Sequence, residues 1–235
     1  MRTVHFRSVS LAAAAVLTLA GSVAAQDKPS GLLNNLEVRQ LVARGEPGDQ
    51  AQLSAHFTAL ADHASWPIVL YNIPYRTGVS LTNEALLELA LHPNIVGMKD
   101  CGADRAQSID FLSRRPPGFR VLTGEDALYH EALADGADGA ILLSAHLETE
   151  AFASVQTLMK QGDRNGALAC WKGISALTRL LFAEPSPAPA KYWLAHIGLI
   201  DSAQVRLPMV EVSAELAALL DEEIGRRRPQ LLRRA

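Results

Sequence analysis

The chain has 235 residues, 49% of them hydrophobic and 20% charged, with a formal net charge of -3 and two cysteines. This is the composition of an ordinary globular protein with room for one large domain or two small ones. No basic stretch interleaves with aromatic residues, which argues against a nucleic-acid partner, and Cys101 and Cys170 lack any CxxC or Cys/His spacing, which argues against a disulfide framework or a zinc site.

Residues 1–25 form a signal-like apolar segment. Arg2 and Arg7 precede "SLAAAAVLTLAGSVAA", and Val23 and Ala25 suit a small-residue cleavage site before Gln26, the layout of a secretory signal. The run is short for a membrane span, so no membrane segment is expected in the mature form. An Ala-rich helix packed on the domain is the other reading of the same residues. Residues 26–50, rich in Gly, Pro, Asn and Asp, read as a linker with one short helix around Asn35 to Ala43.

From Gln52 to His63 the apolar residues fall at helical spacing, and "WPIVLYNIP" follows as a strand that ends at a proline. "SLTNEALLELALHP" is a second helix with Ser80 or Thr82 as its cap, and "NIVGMKD" a second strand. "DRAQSIDFLSRRPPG" is helical up to its prolines, "FRVLTGED" is a third strand, "DALYHEALADGAD" a helix and "GAILLSA" a fourth strand. Short, continuous apolar strands alternating with helices predict an α/β fold with parallel strands covered by helices. After Ser144 only helices are expected, over Glu148–Gln161, Asp163–Phe182, Pro187–Ile197 and Ser213–Arg228, with Asp163 and Ser186 as caps and Pro187 in a first turn. The closing "RRRPQLLRR" reads as a solvated helix end and tail. Both cysteines read as buried thiols.

Parallel α/β sheets carry their chemistry at the carboxyl ends of the strands. Those ends hold Tyr71 and Asn72, Lys99 and Asp100, Gly124, Glu125 and Asp126, then Ser144 and His146. A period of two sets Ile95, Gly97 and Lys99 on one face of their strand and Val69 and Tyr71 on one face of theirs, so that a phenol and an amine converge. In an apolar wall the charged form of an amine is disfavoured, and a neutral amine attacks carbonyls to make a Schiff base. A neighbouring phenol passes protons to and from the intermediates. The plainer reading has Lys99 reaching for water or pairing with Asp100 or Glu125, and Tyr71 packed as an ordinary aromatic.

The company these residues keep carries more weight. "LYNIPYRTG", "IVGMKD", "LTGEDAL" and "GADGAIL" occur in that order at intervals of one βα unit, followed by "EPSPAPAKYWLAHIGL" and "RLPM". From about Gln50 to Ile224 the chain resembles the pyruvate-dependent Schiff-base lyases of the dihydrodipicolinate synthase and N-acetylneuraminate lyase family. The resemblance implies a partial (β/α)8 barrel, strands five to eight, over residues 51–147 and a C-terminal helical extension over 148–235. It makes Lys99 the imine-forming lysine, Tyr71 the proton shuttle, and Arg76 the clamp for the carboxylate of a second substrate, aspartate semialdehyde. Gly124 and Ile141 match positions beside the pyruvate imine. No metal and no cofactor beyond that covalent imine are implied, and lysine and diaminopimelate biosynthesis in the cytoplasm is the expected setting, with export as the alternative that residues 1–25 raise.

The family's "GTTGE" loop and the tyrosine of its "PYY" stretch have no counterpart here. An open four-stranded sheet leaves two edges and an apolar face to cover. The expected outcomes are a homo-oligomer, complementation by a separate N-terminal half, or an incomplete gene product. A sugar-acid aldolase of the same family and a non-catalytic interaction module are the competing functional readings.

Overall fold

The computed structural model describes residues 50–102 and 104–231. The signal-like segment, nearly all of the linker and its short helix around Asn35 to Ala43 lie outside the described residues. The chain runs α1 (Gln50–His63), β1 (Ile68–Asn72), α2 (Pro74–Thr77), α3 (Asn83–Leu89), β2 (Ile95–Asp100), α4 (Arg105–Arg114), β3 (Arg120–Thr123), a 3₁₀ turn (Asp126–Leu128), α5 (Tyr129–Ala134), β4 (Gly139–Ala140), α6 (Ala145–Lys160), α7 (Arg164–Leu181), α8 (Ala188–His196) and α9 (Ala214–Leu231). The four strands form one sheet in the order β1-β2-β3-β4, every pair parallel. Parallel neighbours need a crossover, and the helices between the strands supply it. Among the described residues no helix is long and apolar enough to cross a membrane.

Helix starts follow side-chain chemistry. Thr82 rather than Ser80 caps α3, its hydroxyl accepting from the Ala85 N–H at 3.3 Å. Asp104 accepts from Ala106 and Gln107 at the start of α4, and Asp163 from Gly166 at the start of α7. Each satisfies amides that the first turn leaves without a helical partner. Ser186 does not cap α8: Pro187 occupies the cap position and no side chain bonds there.

The helices cover one face of the sheet. Leu70, Ile95, Met98 and Val121 pack with Leu53 and Ala61 of α1, Leu86 and Leu89 of α3 and Phe111 of α4. Burying Phe111 in this cluster is worth about 1.5–3 kcal/mol. The sequence expectation for Ile95 fails here. Ile68 pairs with Ile95 but Val69 with Gly97, so Val96 is an extra residue in β2. Such a bulge reverses the alternation, which carries Ile95 to the helix side and leaves Val96 exposed.

β4 is shorter than expected. Ile141 still donates its N–H to the Thr123 carbonyl at 2.9 Å, but the buried carboxylate of Asp126 takes the next amides, Leu143 at 3.3 Å and Ser144 at 2.5 Å. A carboxylate competing for backbone donors turns the chain out of the ladder and into α6. Two further clusters hold the helical region. Phe152, Val155 and Trp171 of α6 and α7 pack against Tyr129, and Leu177, Leu181, Trp193 and Leu220 join α7, α8 and α9. The closing basic run is not wholly solvated: Arg227 is buried, donating to Glu148 at 2.9 Å and to the Gly173 carbonyl at 2.9 Å.

Asp138 ties the loop before β4 to β3. Its carboxylate accepts from the Val121 N–H and Arg120 at 2.9 Å each, and from Arg115. Burial alone would raise this carboxyl, but the Val121 amide and the two guanidiniums outweigh it and hold it below the usual carboxylate range. A lowered value in the folded state stabilises the fold at neutral pH, and that contribution is lost as pH falls through the folded value. Asp138→Asn is expected to lower the unfolding free energy at pH 7 by about 1–3 kcal/mol. The gap between the two proteins should close as pH drops below about 4. Urea titrations at pH 7 and pH 3 read both effects, and equal midpoints at pH 7 would contradict this role.

Candidate active site

Pairing between β1 and β2 sets Tyr71 directly opposite Lys99. Side chains opposite one another in a ladder share a face, and this pair shares the face that the described helices leave uncovered. The Lys99 ammonium nitrogen lies 4.3 Å from the centroid of the Tyr71 ring, within the range of a cation–π contact. Val69 and Val96, beside them on the same sheet, are exposed. The convergence of phenol and amine expected from the period of two therefore holds, with the bulge at Val96 placing it correctly at the strand end.

Neither carboxylate expected to pair with Lys99 does so. Asp100 accepts from the Gly102 N–H at 2.8 Å and from the Ser108 hydroxyl at 2.6 Å, bonds that fold the turn into α4. Among the described residues Lys99 makes no ion pair, and Glu125 is not within bridging distance of it.

Gly124 follows β3 and donates its N–H to the Asp100 carbonyl at 2.7 Å. A Cβ built on it would overlap the Cys101 sulfur and Cε of Lys99. Here glycine is required by close approach: its missing side chain is the space in which Lys99 and Cys101 sit. Ile141, one residue beyond β4, is 47% exposed rather than a core aliphatic. Arg76 stands in α2 with its guanidinium 5.8 Å from the Tyr75 ring centroid, exposed, with no ion pair among the described residues.

Cys101 and Tyr75 escaped the sequence reading or were read as plain structure, and Glu125 was read only as a strand-end residue and a pairing candidate for Lys99. Cys101 is 1% exposed and its sulfur lies 3.9 Å from the Tyr71 hydroxyl. Its spacing of two from Lys99 was the available signal. Tyr75 and Glu125 complete the rim. Burial raises the Tyr71 phenol well above its ordinary value, with Cys101 adding to the effect. Burial and then Glu125 raise Tyr75, and burial and then Glu125 push the Cys101 thiol up to about 12, with Tyr71 and then Lys99 offsetting part of this. All three therefore keep their protons at neutral pH.

Other strand-end residues serve the fold. Asn72 is buried and accepts from the Leu81 N–H at 3.2 Å, Asp126 holds the loop after β4, and Ser144 is buried at the start of α6. His146 is exposed on α6. Among the described residues no group of three or more His, Cys, Asp and Glu is arranged to hold a metal ion.

Known proteins share much of this sequence and fold. The chain is 44% identical over 174 residues to 4-hydroxy-tetrahydrodipicolinate synthase 2 of Clostridium acetobutylicum, covering 74% of this chain and 61% of that protein. Among solved structures it resembles dihydrodipicolinate synthase from Aquifex aeolicus, with a TM-score of 0.74 and 28% identity over 78% of this chain and 62% of that one. It also resembles the chloride-inhibited dihydrodipicolinate synthase of Acinetobacter baumannii complexed with pyruvate, with a TM-score of 0.72 and 32% identity over 77% and 62% of the two chains. The chain thus spans about three fifths of the length of these relatives. Residues 46–225 match the model of the Dihydrodipicolinate synthetase family, and the chain belongs to that family.

Proposed function

We propose that this chain carries the pyruvate-binding part of a Schiff-base lyase that condenses pyruvate with aspartate semialdehyde, the 4-hydroxy-tetrahydrodipicolinate synthase reaction of lysine and diaminopimelate biosynthesis. The observation that carries the proposal is the in-register pair Tyr71–Lys99, an amine that lies 4.3 Å from a phenol ring and makes no ion pair among the described residues. The names of the relatives support the reaction, and the pyruvate complex of the Acinetobacter baumannii relative supports the first substrate.

In this reading neutral Lys99 attacks the keto carbon of pyruvate, and Tyr71 delivers a proton to the oxygen that becomes the carbinolamine hydroxyl. A second proton transfer expels water and leaves the iminium. Its positive charge acidifies the adjacent methyl, and loss of one proton there gives an enamine. The enamine carbon attacks the aldehyde carbon of the second substrate, whose oxygen takes a proton by way of Tyr71. The substrate's own amine then displaces Lys99, forming the ring and restoring the free lysine. A phenol with a raised affinity for its proton returns to the neutral form after each transfer.

Arg76 fits the clamp for the carboxylate of aspartate semialdehyde because its planar guanidinium is exposed beside Tyr75 and, among the described residues, makes no ion pair. Gly124 and Ile141 fit the floor and the apolar wall beside the imine. The uncovered face, with Val69, Val96 and Ile141 exposed, is where a second copy or a chain supplying further β/α units would pack to exclude water.

Three outcomes test the proposal. Pyruvate with borohydride should add one reduced adduct to the intact protein, read by mass spectrometry, and Lys99→Ala should abolish it; no adduct at saturating pyruvate would sink the proposal. Arg76→Ala should leave that adduct intact while consumption of aspartate semialdehyde falls by about 100-fold, the loss expected when a charged clamp is removed. Gly124→Ala should cut adduct formation by at least about tenfold at unchanged far-ultraviolet circular dichroism, since its methyl group takes the space of Lys99 Cε and the Cys101 sulfur.

A further inference from the structure

Cys101 is the buried group closest to the proposed proton path that this path does not use. Its backbone is pinned on both sides of the sheet: its N–H donates to the Asn72 carbonyl at 2.8 Å, and the preceding carbonyl, Asp100, accepts from Gly124 at 2.7 Å. With the backbone held to β1 and β3 and Gly124 leaving space for the sulfur, the direction of the side chain is fixed. The sulfur lies 3.9 Å from the Tyr71 hydroxyl, and the residue is 1% exposed.

A thiol held this way has few chemical options. It stays protonated through the neutral range, so it is a poor nucleophile there, and among the described residues it belongs to no group of side chains arranged to hold a metal ion. What remains is the S–H as a donor and the sulfur as a fixed wall. A phenol oxygen has two lone pairs and one proton, and a donor occupying one lone pair restricts where the proton points.

We infer that Cys101 is a positioning residue for the proton-carrying phenol, its thiol bonding the Tyr71 hydroxyl from the strand-end side so that the phenol proton faces Lys99 and the substrate bound there. The inference rests on the proposed Schiff-base reading. Cys101 touches no reacting atom and acts only through Tyr71.

The test is a double-mutant cycle on the rate of borohydride-trapped pyruvate adduct formation, using the full chain, with Cys101→Ala, Tyr71→Phe and the two combined. Tyr71→Phe should slow the adduct by about 100-fold or more, the usual contribution of an acid–base group. Cys101→Ala should slow it by about tenfold, a misplacement effect. The combined variant should be no slower than Tyr71→Phe alone, because Cys101 has nothing to position once the hydroxyl is gone. Cys101→Ser, which keeps a donor in a smaller side chain, should recover at least half of the lost rate. Circular dichroism and urea midpoints of each variant separate loss of fold from loss of rate.

Additive losses in the cycle, or a serine variant as slow as the alanine variant, would overturn the inference while leaving the lyase reading in place. A wild-type chain that forms no adduct would overturn the lyase reading and this inference with it.

Discussion

The site depends on the register between β1 and β2. Parallel strands pair with evenly spaced bonds, so one residue of slip would turn every side chain to the opposite face. The extra residue at Val96 sets that register: below it Ile95 joins the helix-side core, and above it Gly97 and Lys99 turn to the uncovered face. Tyr71 and Lys99 meet because a bulge stands between the core end of β2 and its chemical end. Leu70 and Met98, one step down the same strands, anchor the register by packing under α3 and α4.

A second constraint is the way negative charge is kept off Lys99. Asp100, next in sequence, is committed to the turn into α4 through Gly102 and Ser108, and Asp126 is committed to the loop after β4. Had either carboxylate reached the amine, the pair would have been an ordinary strand-end salt bridge. Instead the immediate neighbour is an aromatic face, which attracts a cation without taking its place as a covalent partner. Around it Tyr71, Tyr75 and Cys101 all hold their protons more tightly than in water, burial being the first cause in each case. The result is an amine among groups that keep their protons, with the Glu125 carboxylate near enough to raise Tyr75 and Cys101 while making no ion pair with Lys99 among the described residues.

The asymmetry of the sheet gives the chain its unusual character. One face is sealed by α1, α3 and α4, while on the other Val69, Val96 and Ile141 remain exposed beside the chemical groups. An apolar face of this kind carries a cost in water and favours a covering surface. The helical extension has its own core around Trp193 and Leu220, joined to α6 through the buried Arg227–Glu148 pair.

Much of this was legible in the order of residues alone. Apolar runs separated by helical stripes determined four parallel strands, caps such as Thr82 and Asp163 determined helix starts, and the spacing of Tyr71 and Lys99 placed both at strand ends. These are local signals, carried by periodicity and by side chains bonding to nearby amides. Tertiary structure alone decided the rest. That Ile95 faces the helices follows from a bulge, which is a property of two strands together. That β4 stops after Ala140 follows from Asp126, and that Cys101 lies against the Tyr71 hydroxyl in the space Gly124 leaves follows from three strands in register. Contacts between residues distant in the chain leave no period for a sequence to display, so only the folded sheet brings the thiol, the phenol and the amine together.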